Sequence, residues 1–177
     1  MTLKKLKFMQ ELNTIFLRLS GVIKESIVDG YGLRYVIFTQ GCPHHCKGCH
    51  NPQTHDFNKG YLQDLASLYD EICKNPLPQG VTFSGGEPFM QAKNLSILAK
   101  HIKTLGLDLI IYTGFTYEEL LQEQAMKELL ILADVLVDGK FILEQKDLSL
   151  KFKGSKNQRI IDVAKSLEQG KVILFEK

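Results

Sequence analysis

Cys42, Cys46 and Cys49 fall within the run Gly41-Cys42-Pro43-His44-His45-Cys46-Lys47-Gly48-Cys49-His50, a C-x3-C-x2-C spacing that gathers three thiols into one loop. Thiolates so close together hold metal. Electron-carrying ferredoxins close a [4Fe-4S] cluster with four cysteines, so three ligands leave one iron open to bind a substrate. The competing chemistry is structural zinc, with His44, His45 or His50 completing a Cys3His set. Zinc knuckles pair C-x2-C units from separate places, and no second pair exists here, which favours iron and sulfide. Gly41 and Gly48 allow backbone conformations closed to other residues, and Pro43 keeps the loop from becoming helix. The chain can then wrap a cluster and turn amides toward its sulfides, which tunes its reduction potential.

Ser84-Gly85-Gly86-Glu87-Pro88 is the second run with chemical content. Adjacent glycines let main chain approach a ligand closely, and Glu87 offers an anionic acceptor to a cation. Thr113-Gly114 and Asp138-Gly139 are less specific, reading either as polar contacts to a bound cofactor or as plain turns. Cys73 lies apart, in line with Leu62, Leu65, Tyr69 and Ile72 at helical spacing, and reads as a buried core thiol. His44 and His45 read as solvated loop residues. His55 lacks ligand spacing and His101 sits beside an apolar stripe, so both read as structural.

These runs need a scaffold. Apolar, β-branched segments predict strands at Thr14–Ile23, Leu33–Thr39, Gly80–Phe83, Leu107–Tyr112, Asp134–Val137, Arg159–Asp162 and Lys171–Phe175. Helices are expected over Tyr61–Lys74 and Asn94–Thr104, and another opening at Thr116, which has capping-box spacing to Glu119. Strand-helix alternation predicts an α/β fold with a parallel sheet, open or curled into a barrel. Each chemical motif follows a predicted strand, so all four lie at strand C-terminal ends, the edge where parallel α/β folds bind ligands.

A chain of 177 residues, 44% hydrophobic and 24% charged, predicts one globular domain over residues 14–177 after an N-terminal extension of residues 1–13. A net charge of +2 argues for neither a nucleic-acid nor a membrane partner. No apolar run approaches the ~20 residues of a membrane-spanning helix. Gln10, Glu11 and Asn13 interrupt any signal-peptide core after Lys4, Lys5 and Lys7. A cytoplasmic protein is expected, in which cysteines stay reduced and clusters of them mean metal.

The cysteine loop and the Gly-Gly-Glu-Pro run resemble the radical S-adenosylmethionine superfamily. That resemblance implies an incomplete parallel (β/α) barrel, with a [4Fe-4S] cluster on Cys42, Cys46 and Cys49 whose open iron chelates S-adenosyl-L-methionine. It implies cofactor contacts from Gly48, Cys49, His50, Ser84, Gly85, Gly86 and Glu87, with Glu87 near the methionine ammonium, and further contacts from Thr113 and Asp138. No side chain is implied as acid or base. The superfamily usually has an aromatic residue where this chain has Gly48.

Val28-Asp29-Gly30-Tyr31-Gly32-Leu33-Arg34 is similar to a segment of glycyl-radical activating enzymes, with Tyr31 in place of their usual proline. Lys153-Gly154-Ser155-Lys156-Asn157-Gln158-Arg159-Ile160-Ile161-Asp162 resembles the signature of the activators of anaerobic ribonucleoside-triphosphate reductase. The Cys-x-Gly-Cys form of the cluster loop fits them as well. The resemblance implies an oxidoreductase that cleaves S-adenosylmethionine reductively to methionine and a 5′-deoxyadenosyl radical, and so places a glycyl radical on the large reductase subunit. Flavodoxin or ferredoxin is the implied electron donor. The alternatives are a pyruvate formate-lyase activator or carboxy-deazaguanine synthase type of radical enzyme, a zinc-binding interaction module, and a simple electron carrier.

Overall fold

Helices occur wherever two neighbouring strands run parallel, because a parallel pair needs a long crossover while an antiparallel pair does not. The computed structural model describes residues 10–176. Its strands are β1 (Phe16–Ser26), β2 (Arg34–Thr39), β3 (Tyr61–Asp64), β4 (Gly80–Gly85), β5 (Asp108–Tyr112), β6 (Val135–Asp138) and β7 (Arg159–Asp162). They form one seven-stranded sheet in the order β3-β1-β2-β4-β5-β6-β7.

The centre, β2-β4-β5-β6, is parallel. Helix Leu65–Lys74 carries the crossover to β4, Ala92–Thr104 that to β5, and Tyr117–Leu120 with Gln124–Leu130 that to β6. The edges correct the expectation of an all-parallel sheet: β1 pairs antiparallel with β2 and β3, and β7 pairs antiparallel with β6. Between β6 and β7 stand only a loop and the short 3-10 turn Leu143–Gln145, so the chain returns beside β6 in the opposite sense.

Side chains alternate across the sheet with period two. Leu109, Ile111, Leu136 and Ile161 face the helices and join their buried stripes, Leu65, Leu68 and Ile72 from one helix and Leu95, Leu98, Ala99 and Ile102 from the next. Ile110, Val135 and Val137 face the other way, where Tyr31, Tyr112, Ile160 and Phe175 cover them. Leu12 also belongs to the main core, so buried packing begins inside the expected 1–13 extension. Residues 1–9 of that extension lie outside the described residues.

Three further expectations are adjusted. Tyr61–Asp64 opens the expected first helix as a strand, because it pairs with Phe16–Leu19, and the helix starts at Leu65 behind an Asp64 cap that accepts from the Ser67 amide at 2.8 Å. Cys73 is exposed rather than buried, one position past Ile72 and rotated off the apolar face. Lys171–Phe175 makes a single bridge, Ile161 to Leu174, instead of a strand. The Thr116 capping box forms as predicted, with the Thr116 hydroxyl accepting from the Glu119 amide at 3.3 Å and the Glu119 carboxylate accepting from the Thr116 amide at 2.7 Å.

Candidate metal centre

The cysteine loop leaves β2 through Gly41, whose φ of +94° and close packing against the Phe57 ring admit no side chain. Two main-chain bonds then pin its start to the segment after the third cysteine: the Gly41 N–H donates to Thr54 O at 2.8 Å and the Cys42 N–H to His55 O at 3.1 Å. Cys42 is 8% exposed, Cys46 and Cys49 are half-buried, and all three border one cavity of about 510 Å³. The Asn51 N–H points at Cys49 Sγ, 3.4 Å away. Burial pushes the Cys42 thiol up, partly opposed by a hydrogen bond from the His44 main chain. Gly48 takes a φ of +73°, a conformation that disfavours the aromatic residue common before the third cysteine.

The loop after β4 is laced directly to this one. The Gly86 N–H donates to Thr39 O and the Glu87 N–H to Gly41 O, each at 2.8 Å. A Cβ on Gly86 would stand 2.4 Å from Gly41 O, and one on Gly85 would stand 2.6 Å from the Thr39 nitrogen. Both glycines are required by backbone meeting backbone.

Glu87 itself is fully buried. Its Oε1 accepts from the Phe89 amide at 3.1 Å and the Thr113 hydroxyl at 2.9 Å, and its Oε2 accepts from the Gly114 amide at 2.8 Å and His44 Nε2 at 2.9 Å. A carboxylate offers about four lone-pair directions. All four are used within the protein, so the carboxylate ties together the loops around it. His44, expected in solvent, is the fourth donor. Its side chain is 6% exposed and its ring packs edge-on to Phe115, centroids 4.6 Å apart, over a Gly114 that has no room for a Cβ.

The cavity is therefore bordered by the three cysteines, by His50, by the Ser84-Gly85-Gly86 backbone and by Thr113-Gly114. A family model described as a 4Fe-4S single cluster domain matches residues 28–161. An anaerobic ribonucleoside-triphosphate reductase-activating protein of Vibrio cholerae is 40% identical over 146 residues, 76% of this chain and 90% of the relative. Its counterpart in Pasteurella multocida is 36% identical over the same length and shares. The chain belongs to this family of activating proteins. Among solved structures, QueE from Escherichia coli superposes with a TM-score of 0.49 at 18% identity, covering 61% of this chain and 57% of that one.

The residues present fit a [4Fe-4S] group. Three thiols surround one cavity, a main-chain N–H is aimed at one sulfur, and His55 Nε2, also at the cavity, is buried with no partner in the protein. Among the described residues no three His, Cys, Asp or Glu side chains gather around a single-ion position, whereas a cluster takes each cysteine on a different iron.

The C-terminal run that resembles the activating-protein family builds the far wall of this cavity. Gln158 Oε1 accepts from the Gly154 and Ser155 amides at 2.8 and 3.2 Å, while its Nε2 donates to Gly139 O at 3.0 Å. Asn157 donates to Lys140 O at 2.8 Å and accepts from the Ser155 hydroxyl at 2.7 Å. These bonds hold the two loops together, and Gly139, Phe141, Phe152, Lys153 and Gly154 face the cavity from them.

Asp138, expected at the cofactor, is instead fully engaged beneath that wall. It accepts from Arg159 Nε at 2.9 Å, from Arg159 Nη2, and from the Tyr117 amide at 2.8 Å, and it does not border the cavity. Gly48 does not border it either, and turns toward Leu143. Sequence reasoning missed His44 and His55 as site residues. Their place among and just after the cysteines was the available signal, but nothing local named their partners.

Val28 and Asp29 border the cavity from the segment ahead of β2. That segment is tied down by Arg34, fully buried, which donates to Thr82 Oγ1 at 3.1 Å, Val81 O at 2.6 Å, Tyr31 O at 3.3 Å and the Asp108 carboxylate. Thr82 in turn donates to Asp29 O at 2.8 Å.

Proposed function

We propose that this chain activates anaerobic ribonucleoside-triphosphate reductase by placing a glycyl radical on its large subunit. The observation that carries the reading is one cavity shared by Cys42, Cys46 and Cys49 and by the Ser84-Gly85-Gly86 backbone. When bound, a [4Fe-4S] cluster supplies the electron for reductive cleavage of S-adenosyl-L-methionine to methionine and the 5′-deoxyadenosyl radical that takes hydrogen from glycine.

In this reading the three cysteines hold the cluster and leave one iron to the cofactor. Gly85 and Gly86 let main chain approach the cofactor's methionine end, with Ser84, Thr113, Cys49 and His50 around it. Glu87 and His44 fix those loops from behind, and Asp138 does the same through Arg159. No side chain acts as acid or base; the protein orients and excludes water. The sheet curls into a partial barrel around the site, and the chain works in the cytoplasm with flavodoxin or ferredoxin as donor.

Anaerobic electron paramagnetic resonance tests this on iron-reconstituted, dithionite-reduced protein. The expected result is a [4Fe-4S]+ signal that changes on adding S-adenosylmethionine, followed by a glycyl radical when the reductase is present. A signal indifferent to S-adenosylmethionine would make the chain an electron carrier, and full metal loading without iron would make it a zinc module.

A further inference from the structure

His55 Nε2 is the one buried side-chain nitrogen or oxygen among the described residues that has no hydrogen-bond partner. Native proteins leave few such atoms, and each is a pointer to a group that completes it. The location says what that group is. His55 borders the same cavity as Cys42, Cys46 and Cys49, and its carbonyl accepts the Cys42 N–H at 3.1 Å.

The main chain on either side of the ring is held. Thr54, just before it, is buried and bonded through its hydroxyl to Asn51 O at 2.7 Å, and its carbonyl accepts the Gly41 N–H at 2.8 Å. On its other side the His55 ring meets His45 edge-on, centroids 5.0 Å apart, and His45 is held at a φ of +47° between two of the cysteines. For an unpartnered imidazole nitrogen on a residue that shares a cavity with three cysteines, cluster sulfur would be the natural acceptor.

We propose that His55 Nε2 donates a hydrogen bond to a sulfur of the cluster held by Cys42, Cys46 and Cys49, and that this bond raises the cluster's reduction potential. The inference rests on the cluster reading above. Reduction by one electron from the donor adds negative charge to the cluster, and an N–H donor stabilises that form more than the oxidised one. His55 is then a positioning and tuning residue that touches the cofactor without ligating it.

The test uses the full chain as wild type, His55→Phe and His55→Gln, each reconstituted anaerobically with iron and sulfide and analysed for both. The cluster of each is then titrated potentiometrically with dithionite and mediators, without S-adenosylmethionine. A more negative midpoint in His55→Phe, restored toward wild type by the amide N–H of His55→Gln, is expected. A His55→Phe midpoint equal to wild type, or a His55→Gln shift as large as that of His55→Phe, overturns the proposal.

A second measurement needs no substitution that risks folding. Wild-type chain labelled with 15N-histidine should show a weak nitrogen coupling to the reduced cluster in electron-nuclear double resonance. Absence of coupling, or a coupling of the size given by a histidine bound to iron, overturns the hydrogen bond. Metal analysis separates the two levels: a wild-type chain that takes up no iron-sulfur cluster overturns the underlying reading, whereas a loaded cluster whose potential ignores His55 overturns this inference alone.

Discussion

His44 Nε2 stands 2.9 Å from Oε2 of Glu87, joining the middle of the cysteine loop to the glycine-rich loop that follows β4. Because Glu87 also holds Thr113 and Gly114, three loops from the ends of three parallel strands meet on one buried carboxylate. Gly85 and Gly86, which border the cavity, are thereby set relative to the cysteines by a buried acid that does not itself border it. The cysteine loop and the glycine-rich loop are mechanically one unit.

Replacing His44 with Ala removes the donor from a fully buried acceptor, a loss of about 1.5–3 kcal/mol for a hydrogen bond to a charged group. Cluster loading should survive, since all three cysteines remain. The expected changes are a lower thermal midpoint and a weakened response of the reduced cluster's resonance signal to S-adenosylmethionine, read by titrating the cofactor. His44→Gln, which keeps a donor, should recover part of that response; equal responses in wild type and His44→Ala would separate the loops' functions.

Gly86→Ala probes the lacing of the same loops. The new Cβ would lie 2.4 Å from Gly41 O, a main-chain atom that cannot rotate away. Forced overpacking costs about 1–3 kcal/mol or more. Urea unfolding should show that loss, and the displaced Gly41 should lower iron uptake at Cys42. Gly21→Ala is the control, since its Cβ meets nothing within 4 Å and its φ is not positive.

What sequence revealed and what it hid divide along contact range. The cysteine spacing, the paired glycines and the Thr116 capping box each lie within about a dozen residues, and their chemistry follows from contiguous residue types. His44 and Glu87 are 43 positions apart, and Asp138 and Arg159 are 21 apart, so only the sheet order brings them together. For Glu87 and Asp138 a sequence shows the carboxylate's charge but not its donors. The parallel core was legible through helices between strands, and the antiparallel edges were not, because β-branched runs look alike in either direction. Cys73 was misplaced because Tyr61–Asp64 became strand, which reset where the helix begins and which face it buries.

Cys73 offers the sharpest contrast with the other cysteines. It is exposed and stands on a helix packed away from the cavity, so Cys73→Ser should keep full iron and sulfide content and change stability by no more than about 0.5 kcal/mol, as surface substitutions do. Cys42→Ser, Cys46→Ser or Cys49→Ser should each lower iron retention severely. Iron and acid-labile sulfide assays on the four variants decide it, and loss of iron in Cys73→Ser would reopen a fourth protein ligand.

Arg34 anchors the segment that brings Val28 and Asp29 to the cavity. Its guanidinium is fully buried and satisfies main-chain carbonyls of Tyr31 and Val81 together with Asp108. Asp108 is half exposed, so removing Arg34 leaves no buried charge behind, and the loss comes from the buried Val81 carbonyl and its neighbours left without a donor, about 1–3 kcal/mol. Arg34→Met should therefore lower the urea midpoint strongly, and Arg34→Lys should restore less than half, because a single ammonium cannot reach the fork's several acceptors.

Acid should loosen the helix that opens at Thr116. Glu118 is held below its ordinary value of 4.5 chiefly by hydrogen bonds from Arg159, and Glu119 is held below it by the Thr116 amide and hydroxyl. For a carboxylate whose folded value is depressed, the unfolded chain takes up the proton first. The stabilisation is complete above about pH 4.5 and is lost as pH falls through the folded values beneath it. Both side chains stand at the helix whose first amide, Tyr117, donates to Asp138, so the thermal midpoint should steepen its fall below pH 4.5, beyond the shallower decline that starts near pH 6.5 as the unfolded chain protonates His55 and His101, whose folded values burial lowers. Glu118→Gln should flatten that acid limb while shifting neutral-pH stability by no more than about 1 kcal/mol, since the pair is solvent-exposed on the Glu118 side. An unchanged acid limb in Glu118→Gln would assign the acid sensitivity to other carboxylates.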